Sequence, residues 1–160
     1  GQSYTDVRVH GDRMIYGGID PGKKGAIARL DGHHIDAIEM PSTVKEVLDA
    51  LQILGDADLV AVEKPIYPAM IGIKNATTIA LNYGVLLAGL TKIAVPFVQI
   101  SPVKWKKSLD LSRDKDLSRQ RATELFPDQA HLWKYKRQDG IAEAALLSWW
   151  AKQTDFRRSE

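Results

Sequence analysis

Four carboxylates occupy places where apolar neighbours make them expensive: Asp20 in GGIDPGKKG, Glu63 in LVAVEKP, and Asp139 with Glu143 in DGIAEAALL. Asp20 ends a short apolar run and precedes a glycine-framed turn. Asp-Pro-Gly-Lys is also ordinary turn chemistry, with Pro21 fixing φ and Gly22 free to take a positive φ, so Asp20 alone decides nothing. Glu63 closes the apolar run Leu59, Val60, Ala61, Val62, and Pro65 stops the ladder soon after. A carboxylate there is half buried and costly unless something pairs with it. Lys64 is a poor candidate, because adjacent strand residues point to opposite faces. Asp139 and Glu143 are four apart, hence on one helix face that Leu146, Leu147 and Trp150 continue. Helix capping accounts for Asp139 but not for Glu143, which falls one position beyond the usual capping-box partner. Acids gathered on an inward face repel one another and lose hydration unless a divalent cation neutralises them, and hard oxygen ligands suit Mg²⁺ or Mn²⁺.

The elements that must position these groups follow from periodicity. MIYGGID, GAIARLDG and HHIDAIEM read as three strands of an antiparallel meander. Pro41-Ser42 opens a helical pattern to about Leu54, and DLVAVEKP reads as a strand buried on both faces. A long helix from about Ile73 to Thr91, a strand in AVPFVQI, and helices near 101–108, 115–125 and 139–152 complete the order βββαβαβααα. That order is α/β, a mixed sheet with helices on its faces. In the long helix, Ala76, Ala80, Gly84 and Ala88 recur at every fourth position as a small-residue ridge, suited to close packing within the chain or between subunits.

A chain of 160 residues with 44% hydrophobic content suffices for one domain with a proper core. We expect residues 1–13 to be an N-terminal arm, 14–153 the domain, and 154–160 a C-terminal tail. Cysteine is absent, which excludes disulfides and thiolate metal sites. No stretch reaches the roughly 18 apolar residues of a membrane span, and a soluble intracellular protein is expected. Net charge is only +2, but from Lys104 to Arg137 ten basic residues face five acidic ones. Trp105, Trp133 and Tyr135 are interleaved with the lysines, a mixture suited to phosphates and exposed bases.

GIDPGKKGAIARL, LVAVEKP, TTIALNYGVLLAGL, SPVKWKK and DGIAEAALL, in this order over about residues 14–152, resemble the RuvC-like Holliday junction resolvases. The SPVKWKK, SRQRATELFP and DGIAEA half is closest in appearance to phage and chloroplast-type members. The resemblance implies an RNase H-like mixed sheet of about five strands with helices on both faces. It implies a homodimer acting on branched DNA, the four-way junction, and Mg²⁺-dependent hydrolysis by two ions that leaves 5′-phosphate ends, with Mn²⁺ able to substitute. Carried over, the metal-binding catalytic acids are Asp20, Glu63, Asp139 and Glu143. Lys115 is the candidate cation near the scissile phosphate. Lys104, Lys106, Lys107, Arg119, Lys134, Lys136 and Arg137 would hold flanking phosphates, and Tyr67 would support unstacked bases at the junction centre. The bacterial resolvases end with aspartates three apart, whereas here an aspartate and a glutamate are four apart, so the division of metal roles between Asp139 and Glu143 stays open. A YqgF-like RNA nuclease and a noncatalytic junction-binding module are the alternatives; dimer formation with junction preference separates the first, a nicking assay the second.

Overall fold

Residues 13–159 are described by the structure, a computed structural model; of the expected N-terminal arm, only Arg13 falls among them. Alternation along the first strand sorts the molecule into layers. In β1 (Ile15–Asp20), Ile15 and Ile19 enter one apolar cluster and Tyr16 the other, so Gly18 and Asp20 share the face of Tyr16. β2 (Ala26–Asp31) pairs antiparallel with β1, and β3 (His34–Glu39) antiparallel with β2, which is the expected meander. β4 (Leu59–Glu63) and β5 (Phe97–Ile100) add parallel strands on the other side of β1, giving the order β3-β2-β1-β4-β5.

Each face of this sheet carries helices. On the face of Ile15 and Ile19 lie α1 (Val44–Ala50) and α2 (Ile73–Lys92), held through Ala50, Leu51, Leu54, Leu86 and Leu90. Full burial of each such leucine contributes roughly 1.5–3 kcal/mol. The helical pattern expected to Leu54 tightens into a 3-10 turn at Leu51–Leu54, which carries Leu51 and Leu54 inward and leaves Val44 and Leu48 exposed. On the opposite face lie α3 (Pro102–Ser108), α4 (Lys115–Leu125) and α5 (Asp139–Thr154). α5 runs one residue past the expected domain boundary. Asp155 then accepts a bond from the Tyr16 hydroxyl at 3.0 Å and pairs with Arg157 at 3.0 Å, fastening the segment after the helix to β1.

Two findings concern packing. The ridge of α2 faces outward: Ala80, Gly84 and Ala88 are not buried, and a Cβ built on Gly84 meets nothing within 4 Å. Close packing of α2 falls instead at Gly89, where a Cβ would stand 2.5 Å from Leu51. α5 is buried on almost every side from Asp139 to Ser148, not along a single stripe. Among the described residues, no helix is long and apolar enough to cross a membrane.

Candidate active site

Strand alternation delivers two carboxylates to one place. Asp20 and Glu63 end the neighbouring parallel strands β1 and β4, and each lies on the face toward α5. Helix α5 supplies the third. Its approach is set by glycines: a Cβ on Gly18 would meet Ala144 O at 2.1 Å, and one on Gly140 would meet Lys24 O at 2.0 Å. Backbone therefore rests on backbone on both sides of Glu143, which brings that side chain onto Asp20. Asp20, Glu63 and Glu143 each present an oxygen within 4.8 Å of the others. The turn after Asp20 is closed by Gly22 N donating to Asp20 Oδ1 at 3.1 Å and by Gly25 N donating to Gly22 O at 2.8 Å.

Electrostatics set Asp20 and Glu63 apart from exposed carboxylates. Burial first, and the Glu143 charge second, push Asp20 up to about 6. Burial and the Asp20 charge push Glu63 up to about 7, against a hydrogen bond from Trp105 that lowers it. That bond runs from Trp105 Nε1 to Glu63 Oε2 at 2.6 Å. Lys106 Nζ lies 3.0 Å from Glu143 Oε1, yet this buried oxygen receives no aligned hydrogen bond, so the contact is a charge pair with coordinating capacity left over. Two buried carboxylates and a half-buried one, gathered with spare capacity on Glu143, fit a hard divalent cation.

The structure does not bring Asp139 into this group. It is the first residue of α5, not its cap, and its Oδ1 lies 2.8 Å from Arg119 Nε. Arg119 is correspondingly placed otherwise than as a free phosphate contact: it also pairs with Asp116 at 2.5 Å and donates to Lys134 O at 3.2 Å. Lys106 likewise belongs to the acid cluster, with its side chain only 14% exposed. Lys104, Lys107, Lys115, Lys134, Lys136 and Arg137 are exposed, and the charge of Lys115, at the start of α4, reaches Asp20. Trp105 and Trp133 are not base platforms; both are buried core residues. Tyr135 is exposed, with Lys134 Nζ 5.7 Å and the Arg137 guanidinium 4.8 Å from its ring centre. Tyr67 is 46% exposed and Met70 95% in the loop after β4, so that loop does not anchor itself through them.

Sequence reasoning missed the role of Trp105. The signal was present: in the short helix opened by the Ser101 cap and Pro102, Trp105 is the largest apolar side chain and had to face the sheet.

Sheet order, helix layers and the position of the acids define an RNase H-like α/β fold. Among solved structures the chain is similar to RuvC of Thermus thermophilus in complex with a Holliday junction substrate, with TM-score 0.59 and 18% identity over 86% of this chain and 91% of that one. It is also similar to the yeast mitochondrial Holliday junction resolvase Ydc2, with TM-score 0.54 and 17% identity over 89% of this chain and 81% of that one. At this identity the likeness is one of fold. No protein-family model matches the sequence, and no curated protein matches it.

Proposed function

We propose that this chain is a structure-selective DNA endonuclease that resolves four-way junctions by metal-dependent phosphodiester hydrolysis, leaving 5′-phosphate ends. The observation that carries the reading is the convergence of Asp20, Glu63 and Glu143 within 4.8 Å at the ends of β1 and β4 and on α5. It is supported by a fold shared with a RuvC bound to a Holliday junction and with a mitochondrial resolvase.

Asp20, Glu63 and Glu143 would hold Mg²⁺, with Mn²⁺ able to substitute. A divalent cation held there would supply a water of lowered pKa and offset the charge of the scissile phosphate. Lys106, 3.0 Å from Glu143, holds that carboxylate in place, and Lys115 approaches the phosphate from the α4 side. Asp139, held by Arg119, acts at one remove by positioning water or Arg119 itself. The exposed Lys104, Lys107, Lys134, Lys136 and Arg137 bind flanking phosphates and orient DNA without reading its sequence. Tyr67 supports bases opened at the junction centre, which stacking on an aromatic ring favours by roughly 1–3 kcal/mol per base. The exposed ridge of α2 is the surface for a second copy, whose site makes the paired cut.

The test is incubation of the protein with an end-labelled four-way junction and a matched linear duplex, with Mg²⁺ and with EDTA. Symmetric cleavage of the junction alone is expected. Asp20→Asn and Glu63→Gln should lose activity by about a hundredfold or more while still binding the junction. Equal cleavage of duplex and junction, or full activity in both variants, would overturn the assignment.

A further inference from the structure

We propose that Trp105 is a positioning residue for Glu63, its indole N–H fixing the carboxylate in the orientation that metal binding requires. The inference rests on the functional reading above and deepens it. Glu63 is the last residue of its strand, where the ladder fixes its backbone opposite Ile100 but leaves its long side chain free to turn. Without a fixed partner, its carboxylate would sample several rotamers.

Trp105 is equipped to remove that freedom. Its side chain is 0% exposed, packed in the cluster of Tyr16, Ala61 and Ile100, so the ring cannot turn without displacing core residues. Its backbone is tied at both ends: Trp105 N donates to Ser101 O at 3.2 Å, and Trp105 O accepts from Ser108 Oγ at 2.7 Å. The two residues are also referenced to each other through the sheet, because Lys64 N, just after Glu63, donates to Ile100 O, just before α3, at 2.8 Å. The indole therefore meets Oε2 from a rigid frame, at 2.6 Å. A bond to a single carboxylate oxygen orients the group while leaving lone pairs for a cation. Residues that hold a ligand by such outer bonds typically matter about ten- to a hundredfold for metal affinity.

A buried indole N–H also needs a partner for its own sake. If that were the whole explanation, removing the donor would alter stability and leave metal affinity untouched in the molecules that fold. Trp105→Phe makes the distinction, because it keeps an aromatic ring and deletes the N–H. Mn²⁺ affinity would be measured by electron paramagnetic resonance on folded wild type and variant without DNA, beside junction binding in EDTA. Expected are Mn²⁺ binding by the wild type, binding weaker by about tenfold or more in Trp105→Phe, and junction affinity within about twofold. Wild-type Mn²⁺ affinity in folded Trp105→Phe would overturn the inference. Absence of Mn²⁺ binding by the wild type would instead overturn the metal reading itself, and this inference with it. Should Trp105→Phe not fold, the wild type answers by nitrogen-15 indole resonances during Mg²⁺ titration, with Trp133, Trp149 and Trp150 assigned by single replacement. Movement of the Trp105 signal supports the inference; a Trp105 signal unmoved at saturating Mg²⁺ overturns it.

Discussion

Asp20 and Glu63 are pushed up to about 6 and about 7, well above exposed carboxylates, because burial first, and then the charge of Glu143 on Asp20 and of Asp20 on Glu63, disfavour their charged forms. The sign of the consequence follows from linkage. Between roughly pH 4 and pH 7 the metal-free folded protein binds more protons than the unfolded chain, so stability is fully present below the ordinary carboxylate range and is lost as pH rises through these values. The loss amounts to a few kcal/mol, since each tenfold change in proton affinity between the two states is worth about 1.4 kcal/mol. Melts in EDTA should show Tm falling from pH 5 to pH 8, Mg²⁺ restoring it, and Glu63→Gln removing about half of the slope. A Tm that rises over that interval would contradict the account. Asp155 has the opposite sign: the Arg157 guanidinium holds it below its ordinary value, so what it contributes is lost only as pH falls below the ordinary carboxylate range.

Among the elements, α5 carries the tightest tolerance. A Cβ at position 140 would stand 2.0 Å from Lys24 O and 2.8 Å from the Gly25 Cα, both backbone atoms of the turn after Asp20. Gly140→Ala should therefore cost at least about 2 kcal/mol in urea denaturation and weaken Mn²⁺ binding, because the helix and the turn must separate. Unchanged stability would show that the turn yields. Much of this arrangement was legible beforehand. All five strands were, because their apolar runs are bounded by glycine and proline, and so was α4, whose expected span of 115–125 matches Lys115–Leu125. The 3-10 segment Pro127–Trp133 was not, since its spacing matches neither a helix nor a strand pattern. Asp20, Glu63 and Glu143 could be found from acids set among apolar neighbours. Trp105 could have been found from its place as the large apolar side chain of α3, but the roles of Lys106 and Arg119 could not, because which way a cationic helix turns its charges toward the sheet is decided by packing that local sequence does not encode.

The outward ridge of α2 is where the dimer proposed above can be tested. Nothing lies within 4 Å of a Cβ at Gly84, so the single chain has room for a larger side chain there. Gly84→Leu should keep its melting temperature at low concentration yet sediment as a monomer, and nick junctions without paired cuts. A variant that remains dimeric would move the interface elsewhere. The placement of α5 has a further effect, in time. Asp20 and Glu63 come from β1 and β4, whereas Glu143 arrives on the last α-helix in chain order, docked against the first strand. Contacts so distant in sequence slow folding, because loop-closure entropy must be overcome before they form. Until α5 docks, the cluster lacks one of its three carboxylates and the cation site is incomplete. On the function proposed above, competence to cut a phosphodiester would then arise only when the core closes, so that an incompletely folded chain would leave DNA intact.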